Sequence, residues 1–251
     1  MLAGVYSHTG TAGEEIMVQK AIVEIKTPDG AMPAHWVRPE GAGPFPGVVV
    51  LMEAFGLVKH IEEVAERLAG EGYAVLAPDL YYRKLPDNKV GYDELPKAIE
   101  LLQSIRDDTF IADMKAALAF MKDSGQVRTG GVGMTGFCMG GRLTFLSACA
   151  LPGEIKAAAP FYGGGIHNHL EQAAAIQCPL ELFFADRDGF IPLDQVAAID
   201  ARLKELGKDY RIKRYADADH GFFCNHRASY NEAAAQDAWH ELKGFFASHL
   251  K

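Results

Sequence analysis

The cysteine in the stretch GFCMG, at position 138, is surrounded by the residue types that a nucleophile on a tight turn needs. Gly136 and Gly140 flank Cys138 as in the strand–turn–helix motif G-x-S-x-G, with cysteine in place of serine. The turn strains the backbone, and side chains at the two flanking positions would collide. The N-terminus of the following helix favours a thiolate and offers N–H groups to an oxyanion. The motif therefore predicts nucleophilic catalysis, although a buried core cysteine also fits the pentapeptide.

Two residues further along the chain supply the other groups that such a nucleophile uses. Asp188 follows the apolar stretch LELFFAD, and His220 lies in the stretch DADHGF. The order nucleophile, acid, histidine is that of hydrolases built on this turn. An imidazole can accept the thiol proton, and a carboxylate can orient the imidazole. Asp186 is a competing acid, and each residue taken alone has an ordinary loop or turn role, but their order at successive strand ends predicts a triad.

The elements that must position these residues alternate between strands and helices. Residues 16–26 and 31–38 alternate like an antiparallel pair around the turn TPDG. Further along the chain, apolar runs predict strands at 45–53, 73–81, 130–137, 155–163, 178–186 and from 210, and helical spacing predicts helices at 61–72, 107–124, 138–150, 194–206 and the C-terminus. This pattern predicts one α/β domain over residues 1–251, with 1–15 as a candidate flexible tail. The sheet should be mostly parallel and twisted, with helices on both faces, and should bind ligands at the carboxyl ends of its strands.

Composition and the absence of certain motifs argue against several kinds of partner and cofactor. The chain has 251 residues and a net charge of −8, which argues against nucleic acid and anionic membranes as partners. Four cysteines without a C-x-x-C pattern, and no signal-like N-terminus, favour a reducing, cytoplasmic location. The pair His167 and His169 lacks further metal ligands, and YGGG lacks the spacing of a dinucleotide loop. We therefore expect no metal and no cofactor, and a monomer that acts on a small molecule.

Several stretches together resemble the dienelactone hydrolase family, the carboxymethylenebutenolidase-like α/β-hydrolases with a Cys-His-Asp triad. The matching stretches are MEAFG (52–56), GYAVLAPDLYYR (72–83), GFCMGGRL (136–143), DGFIP (188–192) and HGFFCNHRASY (220–230). They span most of residues 45–250. The resemblance implies the α/β-hydrolase fold and selects Asp188 over Asp186, because the family's acid stands directly before the x-F-[IV]-P segment.

The resemblance also assigns residues around the nucleophile. Glu53 is a charged residue at the end of a buried strand, so it should have a partner. By resemblance it lies near Cys138 and influences the protonation of the thiol. The backbone N–H groups of Ala54 and Met139 would form the oxyanion hole, where one donor is worth about 2.7–4 kcal/mol at the transition state.

Candidate substrate-binding residues follow from the same comparison. Arg83 matches a family arginine that holds the substrate carboxylate. The second such arginine of the family corresponds here to Cys224, and Arg227 lies three residues beyond. This departure argues for neutral substrates over dienelactone. Tyr82 and Phe223 are candidate apolar walls, with membership of the core as the alternative.

The sequence therefore predicts a hydrolase that cleaves carboxylic esters or lactones through a thioester on Cys138. Three alternatives remain open at this point: an esterase that also cleaves activated phosphoesters, a hydrolase fold that only binds a ligand, and a thiol redox protein that pairs Cys138 with Cys224. Fold and triad alone do not determine the electrophile.

Overall fold

A computed structural model describes residues 16–84 and 89–251, and the candidate tail at 1–15 lies outside this part of the chain. Eight strands of the described chain form one sheet in the spatial order β1-β2-β4-β3-β5-β6-β7-β8. The strands are β1 (Val18–Thr27), β2 (Gly30–Pro39), β3 (Gly47–Leu51), β4 (Ala74–Pro78), β5 (Val132–Phe137), β6 (Ile155–Phe161), β7 (Leu180–Ala185) and β8 (Tyr210–Tyr215).

The sheet is mostly parallel, as predicted. β1 and β2 form the expected antiparallel hairpin, and β2 joins β4 antiparallel. Every other pairing, from β4 across to β8, is parallel. The carboxyl ends of β3, β5, β7 and β8 therefore lie along one edge, which is where ligands bind in such sheets.

Helices cover both faces of the sheet. They are α1 (Lys59–Gly70), α2 (Leu95–Ser104), α3 (Asp107–Asp123), α4 (Met139–Ala150), α5 (Leu193–Glu205) and α6 (Glu232–Leu250), with a 3₁₀ helix at Ile166–Ala175. A side chain added at Gly133 would meet α6, whereas one added at Gly136 would meet α4. Because residues three apart in a strand point to opposite faces, α4 and α6 lie on opposite sides of the sheet. α1 adjoins α6, where Arg67 lies 3.9 Å over the ring of Trp239.

The predicted elements are present, with shifted ends and two additions. The strand predicted at 73–81 ends at Pro78, because Asp79 accepts a hydrogen bond from the N–H of Tyr81 and turns the chain. Helix α2 and the 3₁₀ helix were not predicted. Each buries only two or three side chains, so the apolar pattern that identifies a helix is weak there. No helix within the described residues is both long and apolar enough to cross a membrane.

Candidate active site

The turn at Cys138 has the strained geometry that its flanking glycines predict. Cys138 joins the end of β5 to the start of α4 with φ 55° and ψ −113°, a positive φ that few non-glycine residues adopt. A Cβ at Gly136 would overlap the carbonyl group of Gly140, and one at Gly140 would overlap the carbonyl oxygen of Leu51. The two glycines therefore let α4 approach β3 and β5 closely, which holds the thiol at the carboxyl edge of the sheet.

His220 and Asp188 form the second half of the site. Nδ1 of His220 lies 2.7 Å from Oδ2 of Asp188. The other oxygen, Oδ1, accepts hydrogen bonds from the backbone N–H groups of Phe190, at 2.8 Å, and Ile191, at 3.1 Å. The carboxylate is therefore fixed on both sides. Asp186, the competing acid, instead pairs with Arg214 through contacts of 2.7 and 2.9 Å, so the geometry selects Asp188.

Cys138 and Asp188 both affect the pKa of His220. Burial of the imidazole would by itself lower its pKa. The charge and hydrogen bond of Cys138, together with the hydrogen bond and charge of Asp188, outweigh burial and raise the pKa of His220. The imidazole is thus placed to accept a proton from the thiol and to keep it as an imidazolium beside a carboxylate.

The two backbone N–H groups expected to form the oxyanion hole lie in the loop after β3 and at the start of α4, and one tyrosine side chain contacts both segments. Within residues 16–84 and 89–251, the N–H groups of Ala54 and Met139 donate no backbone hydrogen bond outside the regular helices and strands. The hydroxyl of Tyr81 donates to the carbonyl oxygen of Ala54 at 2.9 Å and contacts Sδ of Met139 at 3.5 Å. Tyr81, which the sequence reading did not single out for this role, therefore holds the β3 loop and the start of α4 together.

Glu53 is fully buried and lies close enough to the candidate base His220 for the two charges to interact. Burial raises the pKa of its carboxyl, while the charges of Arg227 and His220 and the hydrogen bond from Arg227 lower it. Nη1 of Arg227 lies 3.5 Å from Oε1 of Glu53. Arg227 is therefore the partner that a buried strand-end charge requires, and it reaches the site although it does not occupy the family's second arginine position.

Comparisons with known proteins identify the family of this chain. The model of the "Dienelactone hydrolase family" matches residues 32–250. The chain belongs to this family. A relative from Synechocystis sp., named "Putative carboxymethylenebutenolidase", is 36% identical over 246 residues, which cover 93% of this chain and 98% of the relative. A relative of the same name from Methylorubrum extorquens is 34% identical over 233 residues, which cover 89% and 79% of the two chains.

A solved structure shares the whole fold. The crystal structure of a "Putative Dienelactone Hydrolase" from Klebsiella pneumoniae superimposes with a TM-score of 0.85 at 31% identity. The alignment covers 93% of this chain and 100% of that one. As a member of the dienelactone hydrolase family, the protein is a hydrolase with an α/β-hydrolase fold.

Arg83, which the resemblance assigned to a substrate carboxylate, has other partners in this chain. The guanidinium of Arg83 makes two hydrogen bonds to Asp113, of 2.7 and 2.8 Å, and a third of 2.9 Å to Asp29. The hydroxyl of Tyr82 lies 2.7 Å from Oγ1 of Thr27 and donates to Asp113 at 3.1 Å. Both candidate substrate-binding side chains are thus tied to the β1–β2 turn and to α3.

Two other candidates for substrate contact are packed in the core, so the geometry does not support that expectation. Phe223 is 3% exposed and stacks on Phe137 with ring centroids 5.2 Å apart. Cys224 is fully buried, with Sγ 3.3 Å from the hydroxyl of Tyr92. For Phe223, the core alternative that the sequence left open is the one the structure shows.

Two aromatic residues next to His220 were not predicted from the sequence to lie at the site. Phe190 is 59% exposed, and its ring meets His220 edge to face at a centroid distance of 5.0 Å. Tyr162 is fully buried, has φ 34°, and its ring also meets His220 edge to face, with ring centroids 5.1 Å apart. The ring of Phe190 is far more exposed than that of Phe223, and its place two residues after Asp188 was the available signal.

Proposed function

We propose that the protein hydrolyses carboxylic esters and lactones through a thioester on Cys138. The observation that carries this proposal is the 2.7 Å contact between Asp188 and His220, with Cys138 on the adjoining strained turn. The names of the 36% and 34% identical relatives support the substrate class. The proposal assigns general acid–base catalysis to His220 and its orientation to Asp188.

In the acylation step, the Cys138 thiolate attacks the carbonyl carbon, and His220 holds the proton taken from the thiol. The N–H groups of Ala54 and Met139 donate to the oxygen that becomes negative. Collapse of the tetrahedral intermediate breaks the carbon–oxygen bond. His220 then returns its proton to the leaving alkoxide, which leaves Cys138 as a thioester.

In the deacylation step, water replaces the alcohol as the group next to His220. The imidazole accepts a proton from the water as the hydroxide attacks the thioester carbon. The same two N–H groups stabilise the second oxyanion, and the thiolate leaves. Product release restores the Cys138–His220 pair, and lactones follow the same steps with the alcohol still tethered.

The charges near the site favour neutral substrates. Arg83 already has a bidentate carboxylate partner in Asp113, which is 2% exposed, so a substrate carboxylate would have to displace it. Arg227 is paired with Glu53. No second arginine stands at the Cys224 position. We therefore infer that neutral esters and lactones are cleaved in preference to anionic ones such as dienelactone.

The test is a panel of p-nitrophenyl esters, neutral lactones, dienelactone and an activated phosphotriester, run on the wild type and on Cys138→Ala. Loss of a triad nucleophile costs on the order of 10⁴–10⁶ in kcat. We expect such a loss for esters and lactones, and a larger kcat/KM for the neutral lactone than for dienelactone. A Cys138→Ala protein that keeps most of its esterase activity would refute the mechanism, and turnover of the phosphotriester alone would refute the substrate class.

A further inference from the structure

Tyr81 is a fully buried side chain that contacts both residues expected to donate to the oxyanion. It follows the end of β4, and its exposed fraction is 0%. The hydroxyl donates to the carbonyl oxygen of Ala54 at 2.9 Å and lies 3.5 Å from Sδ of Met139. Because one oxygen atom makes both contacts, the separation between the loop after β3 and the start of α4 depends on it.

Two hydrogen bonds hold the backbone on either side of the Ala54 N–H group. The N–H of Gly56 donates to the carbonyl oxygen of Glu53 at 3.0 Å. Since a trans peptide is planar, the Ala54 N–H points away from that carbonyl, and its direction is fixed with it. The hydroxyl of Tyr81 holds the next peptide group through the Ala54 carbonyl. Among the loop and turn hydrogen bonds of the described residues, no backbone N–H donates to this carbonyl, so the tyrosine supplies a restraint that the loop does not.

The backbone of Tyr81 is itself anchored to the sheet. Its N–H donates to Oδ1 of Asp79 at 2.9 Å, and the N–H of Asp79 donates to the carbonyl oxygen of Pro33 in β2 at 2.8 Å. The hydroxyl therefore extends from a rigid support. An oxyanion hole requires such a support, because a displacement of about 1 Å can cost roughly 10²-fold in rate.

We propose that Tyr81 is a positioning residue for the oxyanion hole, whose hydroxyl sets the direction of the Ala54 N–H and its distance from the N–H of Met139. This inference rests on the proposed function. Tyr81 is buried, and its hydroxyl proton is donated to Ala54, so the side chain acts through the two donors and not on the substrate. Its contribution should therefore be greater in the transition state, where the oxygen is charged, than in the bound substrate.

The first test is Tyr81→Phe, which removes the hydroxyl and keeps the ring. We expect kcat and kcat/KM for a p-nitrophenyl ester to fall by the same factor, about 10–100-fold, with KM within about threefold of the wild type. The loss should be smaller than the roughly 10²–10³ that follows deletion of an oxyanion donor, because the Ala54 N–H is still present.

The matched control is Tyr73→Phe, at the other end of β4. Tyr73 is also buried, and its hydroxyl has no hydrogen-bond partner within the part of the chain that the structure describes. The same atom is removed from the same type of residue, but no contact to the oxyanion donors is lost. We expect kcat within about twofold of the wild type.

Alkylation of Cys138 by iodoacetamide separates positioning from a general structural role. The sulfur forms a bond to the methylene carbon while the carbon–iodine bond breaks, and iodide leaves with the electron pair. No oxyanion forms, so the rate constant in Tyr81→Phe and its pH dependence should stay within about twofold of the wild type. An aryl trifluoromethyl ketone is the complementary probe, because addition of the thiolate places the charge on its oxygen. Its inhibition constant should rise by the factor by which kcat/KM falls.

Met139→Leu is a second variant, which keeps the N–H donor and removes the sulfur that the hydroxyl contacts. It should show the same pattern, a lower kcat with an unchanged alkylation rate, and urea unfolding checks that each variant is folded. Alkylation that slows by the same factor as kcat would overturn the proposal, because the hydroxyl would then act on the thiol or on the fold.

An unchanged kcat in Tyr81→Phe, or an equal loss in Tyr73→Phe, would also overturn the positioning role. Failure of the proposed function has a different signature. Hydrolysis that survives Cys138→Ala refutes the thioester mechanism and this inference with it, whereas hydrolysis that depends on Cys138 and is unaffected by Tyr81→Phe refutes the positioning role alone.

Discussion

Replacing Asp188 by asparagine changes one atom of the candidate triad, and the structure determines how the new side chain must sit. Oδ1 of Asp188 accepts two backbone N–H groups, from Phe190 and Ile191. The amide oxygen of an asparagine has to stay on that side, because an NH₂ group would face two donors. The NH₂ group then faces Nδ1 of His220, which must become the unprotonated nitrogen. Nε2 consequently carries the proton and cannot accept one from Cys138.

The size of the expected loss in kcat follows from this wrong tautomer of His220. A triad whose acid becomes an amide loses about 10⁴ in kcat, or roughly 5.4 kcal/mol of transition-state stabilisation at 1.36 kcal/mol per decade. Asp186→Asn makes the same chemical change two residues away, at the partly exposed ion pair with Arg214. Such pairs contribute about 0–1 kcal/mol to stability, and the change should leave kcat within tenfold of the wild type.

The assay is the steady-state hydrolysis of a p-nitrophenyl ester by the wild type and both variants, with urea unfolding as the control for folding. Because the asparagine keeps the two backbone hydrogen bonds, Asp188→Asn should unfold at nearly the wild-type urea concentration while losing turnover. Equal activity in the two variants, or a greater loss in Asp186→Asn, would show that Asp188 does not orient the catalytic imidazole.

Two further predictions concern stability. Gly140→Ala should lower the free energy of unfolding by about 1–3 kcal/mol or more, because the new Cβ overlaps a backbone carbonyl of β3. The control Gly244→Ala, on the open face of α6, should instead raise the free energy of unfolding by about 0.5–1 kcal/mol. Urea unfolding measures both changes. Burial raises the pKa of Asp79 to about 7, above its unfolded value near 3.9, so its stability contribution is greatest at low pH and is lost as pH rises towards 7. The wild type should therefore lose up to about 4 kcal/mol relative to Asp79→Asn between pH ~4 and ~7, whereas parallel stability–pH curves would contradict this assignment.

Local patterns were enough to predict most of the fold. Phe110, Met114, Leu118 and Met121 recur at helical spacing, and they are the buried side of α3. The continuous apolar run over β3 predicted a strand buried on both faces, and all five of its residues are buried. Such elements are predictable because the residues of their hydrophobic faces are close in sequence and recur with the period of the helix or strand. The 3₁₀ helix at 166–175 was missed because only three of its residues are buried.

The sequence by itself determined the strained turn at Cys138, because the local turn requires the glycines at 136 and 140 whatever surrounds it. It also determined the order of the candidate acid, Asp188, and the candidate base, His220, along the chain. Only the tertiary structure decided which side chains are available for chemistry. The ion pairs of Arg83 with Asp113 and of Arg227 with Glu53 join residues at least 30 positions apart. The burial of Phe223 likewise depends on elements distant in sequence. A charge or a ring has the same sequence signature whether it faces a substrate or a partner within the fold, and the distinction depends on packing between elements.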